Sequence, residues 1–140
     1  MAIEDILWAL AQEQVNQPRL PGVFPAFTRN VDGDYSMPNF GYCVAYSATQ
    51  NQFGWNGLKF AVNHAMANSR VVGGWYNQNN GQFYFDSVRI YHTREAAIQA
   101  AIRNRQIGIY DLSSGTYIDV MNQATGSFVV RGRTRRFSIG

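Results

Sequence analysis

The segment from Val71 to Tyr91 constrains the fold most, because it predicts two β-strands joined by a tight turn. Asn80-Gly81 is a pair that tolerates positive φ in hairpin turns, and aromatic and β-branched residues flank it on both sides. In the second strand, strict alternation would put the apolar side chains before and after Asp86-Ser87 on opposite faces. We therefore expect a hairpin with a β-bulge at Asp86-Ser87.

The 140 residues are enough for one domain with a buried core. The single cysteine, Cys43, cannot form an internal disulfide and stands in an apolar run, so a buried thiol is expected. Charged residues make up 15% of the chain, which leaves much of the polar surface to Asn and Gln. These features favour an intracellular protein whose fold does not depend on oxidation.

The excess of positive charge belongs to the C-terminal tail. Four of the twelve basic residues are arginines in the last ten positions, and without them eight basic residues stand against nine acidic ones. A near-neutral body argues against nucleic-acid binding by the domain itself. Arginine side chains are favoured in protein interfaces, so the tail is expected to bind acidic groups of a partner protein, with nucleic acid as a further candidate.

The N-terminal residues predict an amphipathic helix, assigned to residues 1–15. Apolar side chains recur at helical spacing from Ile3 to Ala11, and Glu4 and Asp5 stand in the first turn, where the helix dipole favours acids. This acidic start is unlike a signal peptide, and no apolar run approaches the ~18 residues of a membrane span. We expect neither secretion by a signal peptide nor a membrane partner.

Residues 16–39 predict a Pro-rich extended arm. All four prolines of the chain lie in this segment, and each removes a backbone donor and biases the preceding residue toward extended geometry. Residues 40–121 then form the expected compact α+β domain, and residues 122–140 a C-terminal strand and the Arg-rich tail.

The compact domain has the element order strand, helix, two-stranded hairpin, helix, strand, with Asn56 and Thr93 as expected helix caps. This order matches the ferredoxin-like split βαβ arrangement (βαββαβ), here with an extra C-terminal strand. The RNA recognition motif shares the order, but the chain lacks the basic residue and glycine spacing of that module. We expect a ferredoxin-like α+β fold with an N-terminal helix and an extended arm.

No enzyme, catalytic residue, metal or cofactor is expected. His64 and His92 lie on different elements without an acid or cysteine at ligand spacing. Gly73-Gly74 would suit a close ligand, but it opens a hairpin strand and not a helix, so a bulge or a close strand contact is favoured. For Asp86 and Asp111, hydrogen bonding at turns and strand ends is favoured over a carboxylate pair for acid–base chemistry.

Three segments between Gly41 and Val120 carry a resemblance to a known group of proteins. They are VAYSATQNQFGWNGLKFAVNHA, VVGGWYNQNNGQFYFDSV and EAAIQAAIRNRQIGIYDL. Together they resemble a small module of uncharacterised proteins from tailed phages and mobile elements. The resemblance covers somewhat over half of the chain, excludes the arm and the tail, and implies a phage or mobile-element origin and no established activity.

The expected function is that of a non-enzymatic phage virion or assembly component in the virion or the host cytoplasm. It would dock through its ends on other virion proteins or on copies of itself. The alternative is a phage-encoded intracellular effector that binds a host protein, a nucleotide or a nucleic acid. The expected partner-binding residues are Ile6, Leu7, Leu10, Phe24, Phe27, Arg131, Arg133, Arg135 and Arg136.

Overall fold

The computed structural model describes residues 2–18 and 25–120, and the backbone of residues 130–131. Within these ranges it contains three α-helices and seven β-strands. The helices are α1 (Ile3–Asn16), α2 (Gly54–Met66) and α3 (Arg94–Arg103). The strands are β1 (Ala26–Asn30), β2 (Tyr42–Ala45), β3 (Val71–Asn77), β4 (Gln82–Tyr91), β5 (Gly108–Asp111), β6 (Thr116–Asp119) and β7 (Val130–Arg131).

The strands form one sheet with the order β1-β3-β4-β2-β5-β6-β7, and each neighbouring pair is antiparallel. The expected α+β class is confirmed. The order differs from that of a ferredoxin-like sheet with one added strand, because β1 lies outside β3, and β6 and β7 lie outside β5. The unexpected strand is β1, inside the predicted extended arm: its five residues contain no proline and pair with Val71–Trp75 of β3.

The predicted hairpin is confirmed, and its loop is the four residues Gln78–Gly81. Gly81 adopts a φ of +72°, whereas Asn80 does not have a positive φ. The Gly81 amide donates to the Asn77 carbonyl at 2.8 Å and closes the turn. Glycine reaches this backbone region without steric strain, which explains its place at the end of the turn.

The predicted bulge is wrong, because both faces of β4 are covered. The strand pairs without an inserted residue, first with β3 along Gln82–Ser87 and then with β2 along Val88–Tyr91. Phe83 and Phe85 pack with α1 and α2, while Val88 packs with Ala45 and Val71 on the other face. Simple alternation therefore buries both sets of side chains.

A contact between Thr28 of β1 and Cys43 of β2 shows that the sheet is strongly curved. Neighbouring strands lie about 4.8 Å apart, so three strand spacings would separate β1 from β2 by about 14 Å in a flat sheet. The Thr28 side chain nevertheless hydrogen-bonds to the Cys43 side chain. The face without helices must curl on itself, with β4 as the strand shared by the two halves.

The helices cover the outer, convex face. One cluster joins α1 and α2 to β1, β3 and β4, and a second joins α3 to β2, β5 and β6. The buried residues of the first cluster are Leu7, Ala11, Phe27, Val31, Leu58, Ala61, Val62, Ala65, Val72, Phe83 and Phe85. Those in the second are Val44, Ala97, Ala100, Ala101, Ile109, Ile118 and Val120.

One of the two expected helix caps is confirmed. The Thr93 hydroxyl accepts a hydrogen bond from the Ala96 amide at 3.1 Å at the start of α3. Asn56 is not a cap, because α2 already begins at Gly54 and its first flanking residue, Phe53, makes no side-chain cap. The chain before α2 is tied to the sheet by a bridge between Phe53 and Tyr84, so the helix starts directly after that bridge.

Candidate interaction surfaces

The expected partner-binding residues of α1 lie against their own domain. Leu7 is fully buried in the first cluster, and the partly buried Leu10 packs on that cluster. Ile6 is also partly buried. Leu7 can meet a partner only if α1 leaves its site on the sheet, so partner binding through this helix stays a prediction.

Among the other expected residues, Phe27 is buried and stacks on Phe83 with ring centroids 5.7 Å apart. Phe24, Arg133, Arg135 and Arg136 lie outside the described residues. For Arg131 the structure gives only the backbone pairing with Tyr117. Binding through the Arg-rich tail therefore stays a prediction.

The segment from residue 31 to residue 41, called the arm segment below, follows β1 and crosses the surface. The Asn30 amide donates to the Ser36 carbonyl at 2.9 Å, which folds the first part into a compact turn. Beyond this turn Met37 is 65% exposed and Phe40 is 60% exposed. The ring of Phe40 lies 6.3 Å from that of His92. Met37 and Phe40 were not among the expected partner-binding residues, whereas Phe24 and Phe27, which precede the arm segment, were.

A second surface, called the hairpin-end surface, lies where the hairpin turn meets the start of α2. It consists of the rings of Phe53, Trp75 and Tyr84. Trp75 and Tyr84 are paired across β3 and β4 and stack 5.1 Å apart, and Phe53 lies 5.3 Å from Tyr84. Three rings thus form a row across adjacent backbone segments.

Trp55 lies instead on the helix-covered face of the sheet, where it contacts α1. The rings of Trp8 and Trp55 meet edge to face, with centroids 5.6 Å apart and an angle of 82°. Trp8 in turn lies 6.2 Å from the buried Phe85. The hairpin face was expected to be a binding site only under the alternative of an intracellular effector, together with Gly73-Gly74, and that alternative stays a prediction.

Burial changes the pKa of the Cys43 and His64 side chains. Burial raises the pKa of the Cys43 thiol to about 12, which a hydrogen bond from Thr28 opposes, so the thiol is protonated at neutral pH. Burial lowers the pKa of His64, and the centroid of its ring lies 4.8 Å from that of the Tyr46 ring. Among the described residues, no group of three His, Cys, Asp or Glu side chains is arranged to hold a metal ion.

Three other residues that the sequence singled out are Gly74, Asp86 and Asp111, and the structure shows the surroundings of each. A Cβ atom at Gly74 would overlap the rings of Phe27 and Phe83, so the glycine admits these rings onto the outer face of the sheet. Asp111 accepts a hydrogen bond from the Ser113 amide at 3.0 Å, as expected for a turn carboxylate. Asp86 is buried on the inner face of β4, opposite Gly73.

Comparison with protein-family models, curated proteins and solved structures finds no match to the chain. In the part of the chain that the structure describes, no helix has the length and apolar character needed to cross a membrane.

Proposed function

We propose that the protein is a non-enzymatic virion or assembly component of a phage or mobile element, which docks on larger structural proteins. The observation that carries the proposal is the arm segment, where two large apolar side chains, Met37 and Phe40, are mostly exposed. Large apolar side chains that a surface segment exposes on a folded scaffold are typical of protein-binding sites.

The arm segment is held at both ends. At its start Val31 is buried, and the Val31 amide donates to the Arg70 carbonyl at 2.9 Å. At its end the Gly41 carbonyl accepts a hydrogen bond from the Leu112 amide at 2.9 Å. A loop fixed at both ends loses less conformational entropy when it binds, which favours docking without a large rearrangement.

The charges of the arm segment favour a protein partner over a nucleic acid. Its ionisable side chains are two acids, Asp32 and Asp34, and one tyrosine. Asp32 lies 3.5 Å from Arg70, and both side chains are exposed, so the ion pair contributes little to stability. A phosphate backbone would be repelled here, whereas an apolar protein surface would not.

Replacing Met37 and Phe40 together by Ser tests the proposal. Both side chains are exposed, so the free energy of unfolding should change by no more than ~0.5 kcal/mol. Phe60→Ser is the matched control, since Phe60 is 47% exposed on α2. Particles of the encoding phage or element, analysed by mass spectrometry, should contain the wild-type and the control proteins in stoichiometric amounts and should lack the double variant.

Two results would contradict the proposal. The double variant could be incorporated as well as the wild type, which would leave the arm segment without a docking role. Alternatively, the wild-type protein could be absent from purified particles, which would favour the infection-stage effector.

The proposal includes a finer description of the fold. The inner strands run β3-β4-β2-β5, with α2 and α3 as the two crossovers that a ferredoxin-like unit requires. The complete order differs from a ferredoxin-like sheet, and on this description β1, β6 and β7 are additions to such a unit. An experimental structure in which β2 does not lie between β4 and β5 would rule the description out.

A further inference from the structure

The chain contains two Asn-Gly pairs, Asn56-Gly57 and Asn80-Gly81. Asparagine is chemically labile, and it is most easily attacked when glycine follows, because glycine has no Cβ atom to obstruct the approach of its backbone nitrogen. That nitrogen attacks the side-chain carbonyl carbon of asparagine and forms a cyclic imide. The asparagine side chain must fold over the following amide, so the surroundings of each pair decide whether it reacts.

The pair Asn56-Gly57 lies in the first turn of α2 and is held there. Gly57 is buried, and its amide donates to the Phe53 carbonyl at 3.2 Å. A Cβ atom at Gly57 would lie 2.7 Å from the carbonyl carbon of Gln52, so the backbone before the helix packs closely against the glycine. The nitrogen of Gly57 therefore cannot turn toward the Asn56 side chain unless the start of α2 opens.

The pair Asn80-Gly81 lies in the hairpin loop, and both of its residues are exposed. A Cβ atom at Gly81 would come no closer than 3.8 Å to its nearest neighbour, the Tyr76 hydroxyl. Exposed loop tips open locally at a low cost in free energy. A change in the backbone dihedrals of this pair therefore disturbs no packed side chain.

Hydrogen bonds restrain the exposed pair. The Asn80 side-chain amide donates to the Tyr84 hydroxyl at 2.8 Å, and the Asn80 side-chain carbonyl accepts from the Gln82 amide at 3.0 Å. The Gly81 amide donates to the Asn77 carbonyl at 2.8 Å. Each such bond changes an opening equilibrium by only about two- to tenfold, so the bonds slow the reaction without preventing it.

We propose that Asn80 is a site of spontaneous deamidation in the folded protein, restrained by the Tyr84 hydroxyl. The nitrogen of Gly81 forms a bond to Cγ of Asn80 and loses its proton to solvent. The bond from Cγ to Nδ2 breaks, and Nδ2 takes up a proton from water and leaves as ammonia. Water then adds to either carbonyl carbon of the imide and opens the ring, which gives aspartate or isoaspartate. The reaction consumes one water and releases one ammonia.

Deamidation changes the chemistry of the hairpin loop. The stretch Val71–Phe85 contains no Asp, Glu, Lys, Arg or His, so the product places a negative charge on an otherwise uncharged hairpin. The product also lacks the Nδ2 group that donates to Tyr84, a member of the hairpin-end surface. The isoaspartate form adds a methylene group to the backbone of the turn. This inference does not rest on docking through Met37 and Phe40, so the two can fail independently.

Peptide mapping of the full-length protein tests the proposal. The folded protein is incubated at mildly alkaline pH, digested with trypsin and analysed by mass spectrometry, and a digest before incubation gives the background. Trypsin cleaves after Lys and Arg, so the peptide Val71–Arg89 carries Asn80 and the peptide Asn30–Lys59 carries Asn56. Replacement of NH by O raises the peptide mass, and fragmentation locates the residue. Asn80 should convert at least about tenfold faster than Asn56.

Two substitutions locate the restraint. Tyr84→Phe keeps the aromatic ring but removes the hydroxyl, so it should accelerate deamidation of Asn80 about two- to tenfold. Tyr76→Phe removes a neighbouring hydroxyl that takes part in none of the hydrogen bonds of the pair, and it should leave the rate unchanged. Circular dichroism and thermal unfolding show whether both variants are folded.

Unfolding in urea separates the effect of the fold from that of the neighbouring residues. In urea Asn56 and Asn80 should react at similar rates, and a preference for Asn80 as large as that in buffer overturns the proposal. It is also overturned if Asn80 stays intact in the folded protein, if Asn56 converts as fast, if Tyr84→Phe brings no acceleration, or if Tyr76→Phe accelerates the reaction equally. Should Tyr84→Phe fail to fold, the wild-type comparison in buffer and urea decides alone.

Discussion

The ring of Tyr117 lies directly over Gly108, so that a Cβ atom at Gly108 would overlap the Cζ and Oη atoms of the tyrosine. The two residues belong to the neighbouring strands β5 and β6, and both are buried. The absence of a side chain at Gly108 is what allows the tyrosine to lie flat on the sheet.

Gly108→Ala should therefore destabilise the protein. Overpacking a buried site typically costs about 1–3 kcal/mol, because the neighbours must shift off their preferred rotamers. A double-mutant cycle with Tyr117→Val, followed by urea unfolding, measures the coupling. In the Tyr117→Val background the added methyl group should cost clearly less; an equal cost in both backgrounds would show that the ring is not the obstacle.

Leu7→Ala tests whether α1 is part of the domain. Leu7 is fully buried in the first cluster, so its truncation should lower the free energy of unfolding by about 2–5 kcal/mol. Leu10→Ala, on the same helix but only partly buried, should have a smaller effect. If both variants unfold like the wild type, α1 is not held on the sheet in solution, and its apolar stripe is available to partners.

Two arginines follow helix ends with a left-handed backbone, Arg70 with φ +62° after α2 and Arg105 with φ +57° after α3. This conformation costs a non-glycine residue about 1–2 kcal/mol. Replacement by glycine removes that cost, but glycine has more freedom in the unfolded chain, which cancels part of the gain in stability. Arg105→Gly should raise the free energy of unfolding by up to about 1 kcal/mol. Thermal and urea unfolding measure the change.

Arg70→Gly is the matched comparison, because it also removes the exposed ion pair with Asp32. Such a pair contributes about 0–1 kcal/mol, so Arg70→Gly should stabilise the protein less than Arg105→Gly does. Because salt screens the ion pair, the two variants should be equally stabilised in high salt. A marked destabilisation by Arg70→Gly in high salt would mean that its side chain has a role beyond the ion pair.

The buried thiol predicts a pH dependence. Burial raises the pKa of Cys43 from 9.0 to about 12. Above pH 9.0 the unfolded chain loses a proton that the folded protein keeps, so stability from this group is present below pH 9.0 and lost as the pH rises toward 12. The free-energy difference between wild type and Cys43→Ala, from urea unfolding across this range, should shift in favour of the variant. A constant difference would argue against a buried, protonated thiol.

Local signals in the sequence were sufficient for the hairpin, α1, α3 and the Thr93 cap, because each depends on residues close together in the chain. The strand β1 was missed, since its only support is pairing with β3 about 45 residues later, and the prolines around it favoured an irregular segment. The bulge was predicted because alternation was expected to bury one face alone. The curvature that covers the other face brings Thr28 and Cys43 together, and no local pattern in the sequence connects these two residues.

The candidate surfaces were less accessible to prediction than the fold. Leu7 and Phe27 were expected to bind partners because the helix and the arm were placed outside the compact domain of residues 40–121, whereas both side chains are buried against that domain. Exposure of Met37 and Phe40 depends on how the arm segment crosses the surface, which neither composition nor spacing reveals. For the hairpin end the aromatic and amide residues were visible, but their assembly with Phe53 depends on its bridge to Tyr84.

The sharing of β4 between two partners also sets the order in which the molecule can fold. The β3–β4 hairpin closes a loop of four residues, whereas pairing of β2 with β4 must enclose α2 and the whole hairpin. Closing the longer loop costs more chain entropy, so the hairpin should form early and recruit β2 and β1 later. Pulsed hydrogen exchange during refolding should protect the amides of Trp75 and Tyr84, which face each other across the hairpin, before that of Val44. Formation of β4 within the hairpin is thus the step that must precede assembly of both halves of the sheet.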